Sequence, residues 1–144
     1  MPNHAPLHLE RFLPYRLSIL ANTVSEAIAR EYRQAWRLST TEWRVIAVLA
    51  RFQPLSAREV AEHTAMDKVA VSRALARLVA DGRVLRDRHD GDRRRSVLEL
   101  SEEGWRVHDA VAPRARWHEQ RLLAQLSKAE IDTLAGILDK LAPV

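Results

Sequence analysis

SAREVAEHTAMDKVAVSRALARLVADG, residues 56–82, decides how this chain is to be read. Ser56 and Glu59 form a capping-box signature, in which each side chain satisfies an orphan amide of the other, and they open a short helix running to His63. Asp67 caps a second helix, which ends at Asp81 with Gly82 placed for the left-handed C′ position. Only Thr64-Ala65-Met66 connects the two, so they must meet at a sharp angle. Short helix, tight turn and longer helix together read as a helix-turn-helix.

Downstream, Val84-Leu85 and Val97-Leu98 with Leu100 are strand-like runs around Asp90-Gly91, a hairpin turn dipeptide. Ser101 then caps a further helix. Upstream, Ser39-Thr-Thr-Glu42 repeats the capping box and starts a helix carrying Trp43, Ile46, Ala47 and Ala50 at helical spacing. Residues 38–101 thus read as a winged helix-turn-helix core. The fold class is mainly α with a small β-hairpin wing (α+β).

Both flanks are helical. From Leu13, just before a helix of about residues 14–36, Leu17, Leu20, Val24, Ile28 and Tyr32 recur at spacings of three or four, with Pro14 at a first-turn position. A helix from Glu102 toward Leu126 contains Pro113, which is expected to kink it without ending it. Ser127-Lys-Ala-Glu130 opens a last helix with Ile131, Leu134, Leu138 and Leu141 in register. These stripes exceed what the small core covers. They point to a symmetric homodimer with dimerisation segments 1–37 and 102–144; the alternative is an intramolecular helical layer.

Charge placement narrows the function. The 144 residues carry 23 basic and 19 acidic side chains, a net of +4, and 20 of the basic ones are arginine. Residues 68–95 hold nine basic and four acidic residues, +5, so the remainder sums to −1. Residues 68–80 contain no acid. Val71, Ala74, Leu75 and Leu78 form the core stripe, and Lys68, Ala70, Ser72, Arg73, Ala76 and Arg77 are assigned to the opposite face. Small residues let a helix approach a groove, methyl groups contact thymine and arginine pairs bidentately with guanine. Acids there would oppose phosphate attraction. Double-stranded DNA is the expected partner, with Arg73 at a base beside Ser72 and Ala70, and Lys68 and Arg77 at phosphates. Asp92, Arg93, Arg94 and Arg95 form a wing tip suited to the minor groove, where Asp92 braces Arg94.

Absence of cysteine excludes zinc fingers, iron–sulfur sites and thiol chemistry. The four glycines form no phosphate loop or dinucleotide fingerprint, and no serine sits in a nucleophile elbow. The chain is read as no enzyme, with no cofactor and no metal, since His4/His8 and His108/His118 lack ligand spacing. The longest apolar run, residues 45–50, is far below a bilayer span of about 20 residues. That reading gives a soluble, cytoplasmic chain with no membrane partner. A ligand-independent architectural DNA binder and a winged-helix protein-interaction module remain as alternatives.

The segment Asp92-Arg-Arg-Arg-Ser-Val-Leu-Glu-Leu-Ser-Glu-Glu-Gly104 resembles the wing of the MarR family of winged helix-turn-helix transcription regulators. Leu38-Ser-Thr-Thr-Glu-Trp43, Met66-Asp-Lys-Val-Ala-Val-Ser-Arg73 and Leu126-Ser-Lys-Ala-Glu130 resemble its second-helix entry, recognition helix and last junction. His89 and Asp90 depart from the family, where an acid and a proline are frequent. The resemblance implies an obligate, triangular dimer on a pseudo-palindromic operator, with wing roles for Asp92 and Arg94. It also implies repression relieved by small aromatic or phenolic anions, bound between the dimer helices and the winged domain. Tyr15, Arg16, Trp36, Trp43, Trp105 and His108 are the candidate lining, with Arg16 for a ligand carboxylate.

Overall fold

The computed structural model describes residues 3–88 and 96–142. After a 3-10 turn, Leu9–Arg11, come helices α1 (Leu13–Trp36), α2 (Thr40–Phe52), α3 (Ala57–Thr64) and α4 (Lys68–Ala80). Strands β1 (Val84–Arg88) and β2 (Ser96–Leu100) follow, then α5 (Glu102–Leu123) and α6 (Lys128–Leu141). This is the expected winged helix. The turn expected at Asp90-Gly91 and the departures at His89 and Asp90 lie outside the described residues.

Local chemistry accounts for most boundaries. Ser56 and Glu59 exchange both capping bonds, as do Ser127 and Glu130. Asp67 accepts from the Ala70 amide at 3.0 Å and Ser101 from Gly104 at 3.1 Å. Gly82 takes φ +75°, the left-handed region that glycine enters without a Cβ penalty. At Ser39 the expectation is only half met: its Oγ accepts from Glu42 N at 3.1 Å, but Glu42 does not reach back. Pro113 sits inside α5, which continues to Leu123, three residues short of the expected end. Two helix ends come without a glycine signal: Arg37 and Ala65 each adopt φ 53°.

Helix α2 is the hub, packed against α3, α4, α5 and β2. Val45, Ile46, Val48 and Leu49 are buried, so its apolar surface is wider than the single stripe the sequence pattern defines. Val71, Ala74, Leu75 and Leu78 of α4 join this core with Val84, Leu98, Leu100, Val107 and Val111. β1 and β2 pair antiparallel from Val84 opposite Leu100 to Arg88 opposite Ser96. Leu55, between α2 and α3, exchanges backbone bonds with Leu98 at 3.2 and 2.7 Å and adds a third short edge. Gly104 lies where α5 leaves the sheet; a Cβ there would fall 2.1 Å from the Arg83 carbonyl oxygen. No backbone with a side chain approaches that closely.

The flanking helices divide. Ala29 and Tyr32 of α1 are buried, whereas Leu13, Leu17 and Leu20 are exposed. Glu31 ties this half of α1 to α5, accepting from Arg114 and lying against His118 Nε2, both at 3.0 Å. None of α6 is buried, and Leu134, Ile137, Leu138 and Leu141 face outward. No helix among the described residues is long and apolar enough to cross a membrane.

Candidate nucleic-acid interface

α4 presents its outer side because its inner one is fixed by packing on α2 and α3. At 3.6 residues per turn, the direction opposite the buried stripe falls on Val69, Arg73 and Ala76, with Ser72 and Arg77 to either side. All five are exposed. Arg73 and Lys68 make no ion pair among the described residues. Val69, 57% exposed, is a member of this face that the sequence reading missed. Counting outward from the core stripe, rather than selecting small and basic residues, would have found it.

Two residues assigned to that face lie on its flanks instead. Ala70 is half-buried in a recess between α4 and the start of α2, with Ser39, Glu42, Arg73, Ala74 and Arg77. Lys68 is exposed on the other flank, bordering a recess with Ala57, Arg58 and Ala61 of α3. A step of 100° per residue separates each from the face centre, because positions 68 and 70 straddle Val69.

Not every cation of the basic stretch is available to a partner. Arg83 donates to the Trp36 carbonyl at 2.8 Å, tying the start of β1 to the end of α1. Arg77 is 69% exposed but has its Nη1 3.6 Å from Oε1 of Glu42, a carboxylate 2% exposed. Lys68, Arg73 and Arg86 stay exposed. Asp92, Arg93, Arg94 and Arg95 lie outside the described residues.

A cavity of about 190 Å³ opens between α1 and α2, lined by Ser25, Ile28, Tyr32, Thr40, Trp43 and Arg44. Trp43 lies 5.7 Å from the Tyr32 ring and stacks on His108 at 6.1 Å, while Trp105 meets His108 edge-on at 5.5 Å. Of the six candidate lining residues, the fold therefore gathers Trp43, Trp105 and His108 into one aromatic cluster. Trp36 packs against the core elsewhere. Tyr15 and Arg16 stand exposed near the start of α1, roughly 13–15 Å along the helix from Ser25. Sequence reasoning missed Tyr32, Thr40 and Arg44. An arginine inside the apolar run of α2 was the available signal for Arg44. Burial pushes the Tyr32 phenol above its ordinary pKa, partly offset by a hydrogen bond with Thr40.

A sequence profile of the MarR family matches residues 38–95, from the entry of α2 through the wing. The HTH-type transcriptional repressor NicR of Pseudomonas putida is 28% identical over 105 residues, 73% of this chain and 66% of NicR. A MarR/EmrR family transcriptional regulator from Acinetobacter sp. ADP1 superposes with a TM-score of 0.83 at 28% identity, covering 94% of this chain and 95% of that one. A MarR family regulator from Silicibacter pomeroyi gives 0.81 at 26% identity, covering 97% and 94%. Outer helices and winged core are thus shared with these structures, not the core alone.

Proposed function

We propose that this chain, which belongs to the MarR family of transcriptional regulators, is a sequence-reading repressor that binds double-stranded DNA as a homodimer. The observation that carries the reading is α4: a helix without an acid, whose outward face consists of Val69, Ser72, Arg73, Ala76 and Arg77. Such a surface fits a major groove, and its cations suit the phosphates beside it. Arg73 is the base contact, with Ser72 exposed beside it. Lys68 and Arg77 take phosphates, Val69 offers an apolar contact for a thymine methyl, and the wing-tip arginines Arg93, Arg94 and Arg95 enter the minor groove, with Asp92 bracing Arg94.

In this reading residues 38–101 form the DNA-binding domain, and 1–37 and 102–144 dimerise it. The exposed leucines of α1 and α6 support that division, since an apolar surface of this extent is unusual on a monomer. Two-fold symmetry then sets the recognition helices about 34–36 Å apart, or a multiple of that spacing. The cavity beside Trp43 takes the effector, a small aromatic or phenolic anion, with Arg44 its cationic partner. The test is selection from a randomised duplex library. An enriched inverted repeat with half-sites about 10–10.5 base pairs apart, or a multiple, is expected. Enrichment of no sequence overturns the reading.

A further inference from the structure

We propose that Glu42 is a specificity-determining residue, a buried carboxylate that restrains the guanidinium of Arg77 and so fixes the register of α4 on DNA. The proposal rests on the DNA-binding reading of α4. Ser-x-x-Glu occurs at three helix starts, which supply an internal comparison. Glu59 and Glu130 return to the amides of Ser56 and Ser127 at 3.0 and 2.9 Å, as a capping box requires. Glu42 instead turns beneath α4, where it is 2% exposed with Oε1 3.6 Å from Arg77 Nη1. Its Oε2 has no hydrogen-bond partner among the described residues.

A buried carboxylate with unfilled acceptor capacity is costly, and 3.6 Å is too long for a hydrogen bond. The contact is therefore incomplete in the free protein, and a small movement of Arg77 completes it. Arg73 borders the same recess, so both outward arginines of α4 stand beside one carboxylate. Guanidinium carries five donors in a rigid fork. Two of them directed at Glu42 leave the outer edge aimed away from the protein. Arg77 then meets a phosphate in one orientation, and phosphate contacts made in a fixed orientation set the register that base contacts read. The negative charge of Glu42 also lowers the attraction of Arg77 for arbitrary phosphates. Discrimination rises while non-specific affinity falls.

The experiment uses the full chain, the duplex enriched by wild type from a randomised library, and a shuffled duplex of equal length, titrated by fluorescence anisotropy. Glu42→Gln is expected to tighten binding to the shuffled duplex and to lower the selected-to-shuffled affinity ratio at least about fivefold. In an Arg77→Ala background the same substitution is expected to change that ratio by less than about twofold. An unchanged ratio in Glu42→Gln overturns the proposal, as does an equal fall in the Arg77→Ala background, which is what a purely structural role gives. Should Glu42→Gln fail to fold, Arg77→Lys reads the contact from the other side, because lysine keeps the charge and lacks the fork. Retained affinity for shuffled DNA with a reduced ratio supports the proposal; wild-type values on both duplexes overturn it. A wild type that enriches no duplex overturns the DNA-binding reading itself, and the proposal with it.

Discussion

Arg73→Ala removes a cation from the outward face of α4 without disturbing what holds the helix. The side chain is exposed and makes no ion pair among the described residues, while its neighbour Ala74 carries the packing. Folding stability is therefore expected to change by no more than about 0.5 kcal/mol. A bidentate arginine–guanine pair discriminates by about 1–3 kcal/mol, roughly 5- to 150-fold at 25 °C for each half-site, and a dimer loses one pair at each of two half-sites. That loss is expected on the selected duplex and not on a shuffled one. The salt dependence separates a base contact from a phosphate contact. Removing a phosphate contact makes the slope of log K against log salt shallower by about 0.9 per site, whereas removing a base contact leaves it unchanged. Anisotropy titrations of both duplexes at several salt concentrations measure the two quantities together. A shallower slope with an unchanged affinity ratio would refute the role given to Arg73.

Three further predictions concern the scaffold, and a fourth its assembly. Gly104→Ala places a methyl 2.1 Å from a backbone oxygen and is expected to destabilise by about 1–3 kcal/mol; a melting temperature equal to wild type contradicts this. Ala65→Gly relieves the left-handed alanine of the helix-turn-helix corner and is expected to raise stability by about 0.5–1 kcal/mol, read from the urea midpoint. The Arg114 and His118 contacts hold the Glu31 carboxyl below the ordinary glutamate range, so the α1–α5 tie is present above that range and lost as pH falls through the lowered value. Trp117 lies over Arg114 at 4.6 Å, and its fluorescence is expected to report the release in wild type but not in Glu31→Gln. Leu138→Asp changes an exposed residue of α6; sedimentation is expected to show a dimer for wild type at micromolar concentration and a monomer for the variant.

What the sequence made legible is local. Caps at Ser56, Asp67, Ser101 and Ser127 act over three residues, and the Val71, Ala74, Leu75 and Leu78 stripe spans two turns. Both are written contiguously, so spacing alone recovers them. Arg37 and Ala65 end helices with no glycine to announce it; both are exposed residues in the left-handed region, and the carbonyls just before them, of Trp36 and Thr64, accept from Arg83 and Arg44 of distant elements. Glu42 reads as a cap but lies buried 3.6 Å from Arg77, 35 positions later, which no local pattern encodes. By residue type Lys68 and Ala70 group with Arg73, whereas helix rotation puts Val69 near the centre of the outward face and those two on its flanks. The cavity beside Trp43 and the aromatic cluster next to it were the least legible features. Trp43, Trp105 and His108 come from two helices, and only folding brings them together, while Arg44 and Tyr32 lay hidden among core residues.

The salt dependence of duplex binding by the wild-type chain tests DNA binding through α4 most directly. Lys68 and Arg77, presented twice by a dimer, already imply four neutralised phosphates, so log K is expected to fall with log salt at a slope of about −3.6 or steeper. A flat dependence, or no binding at low salt, would contradict it.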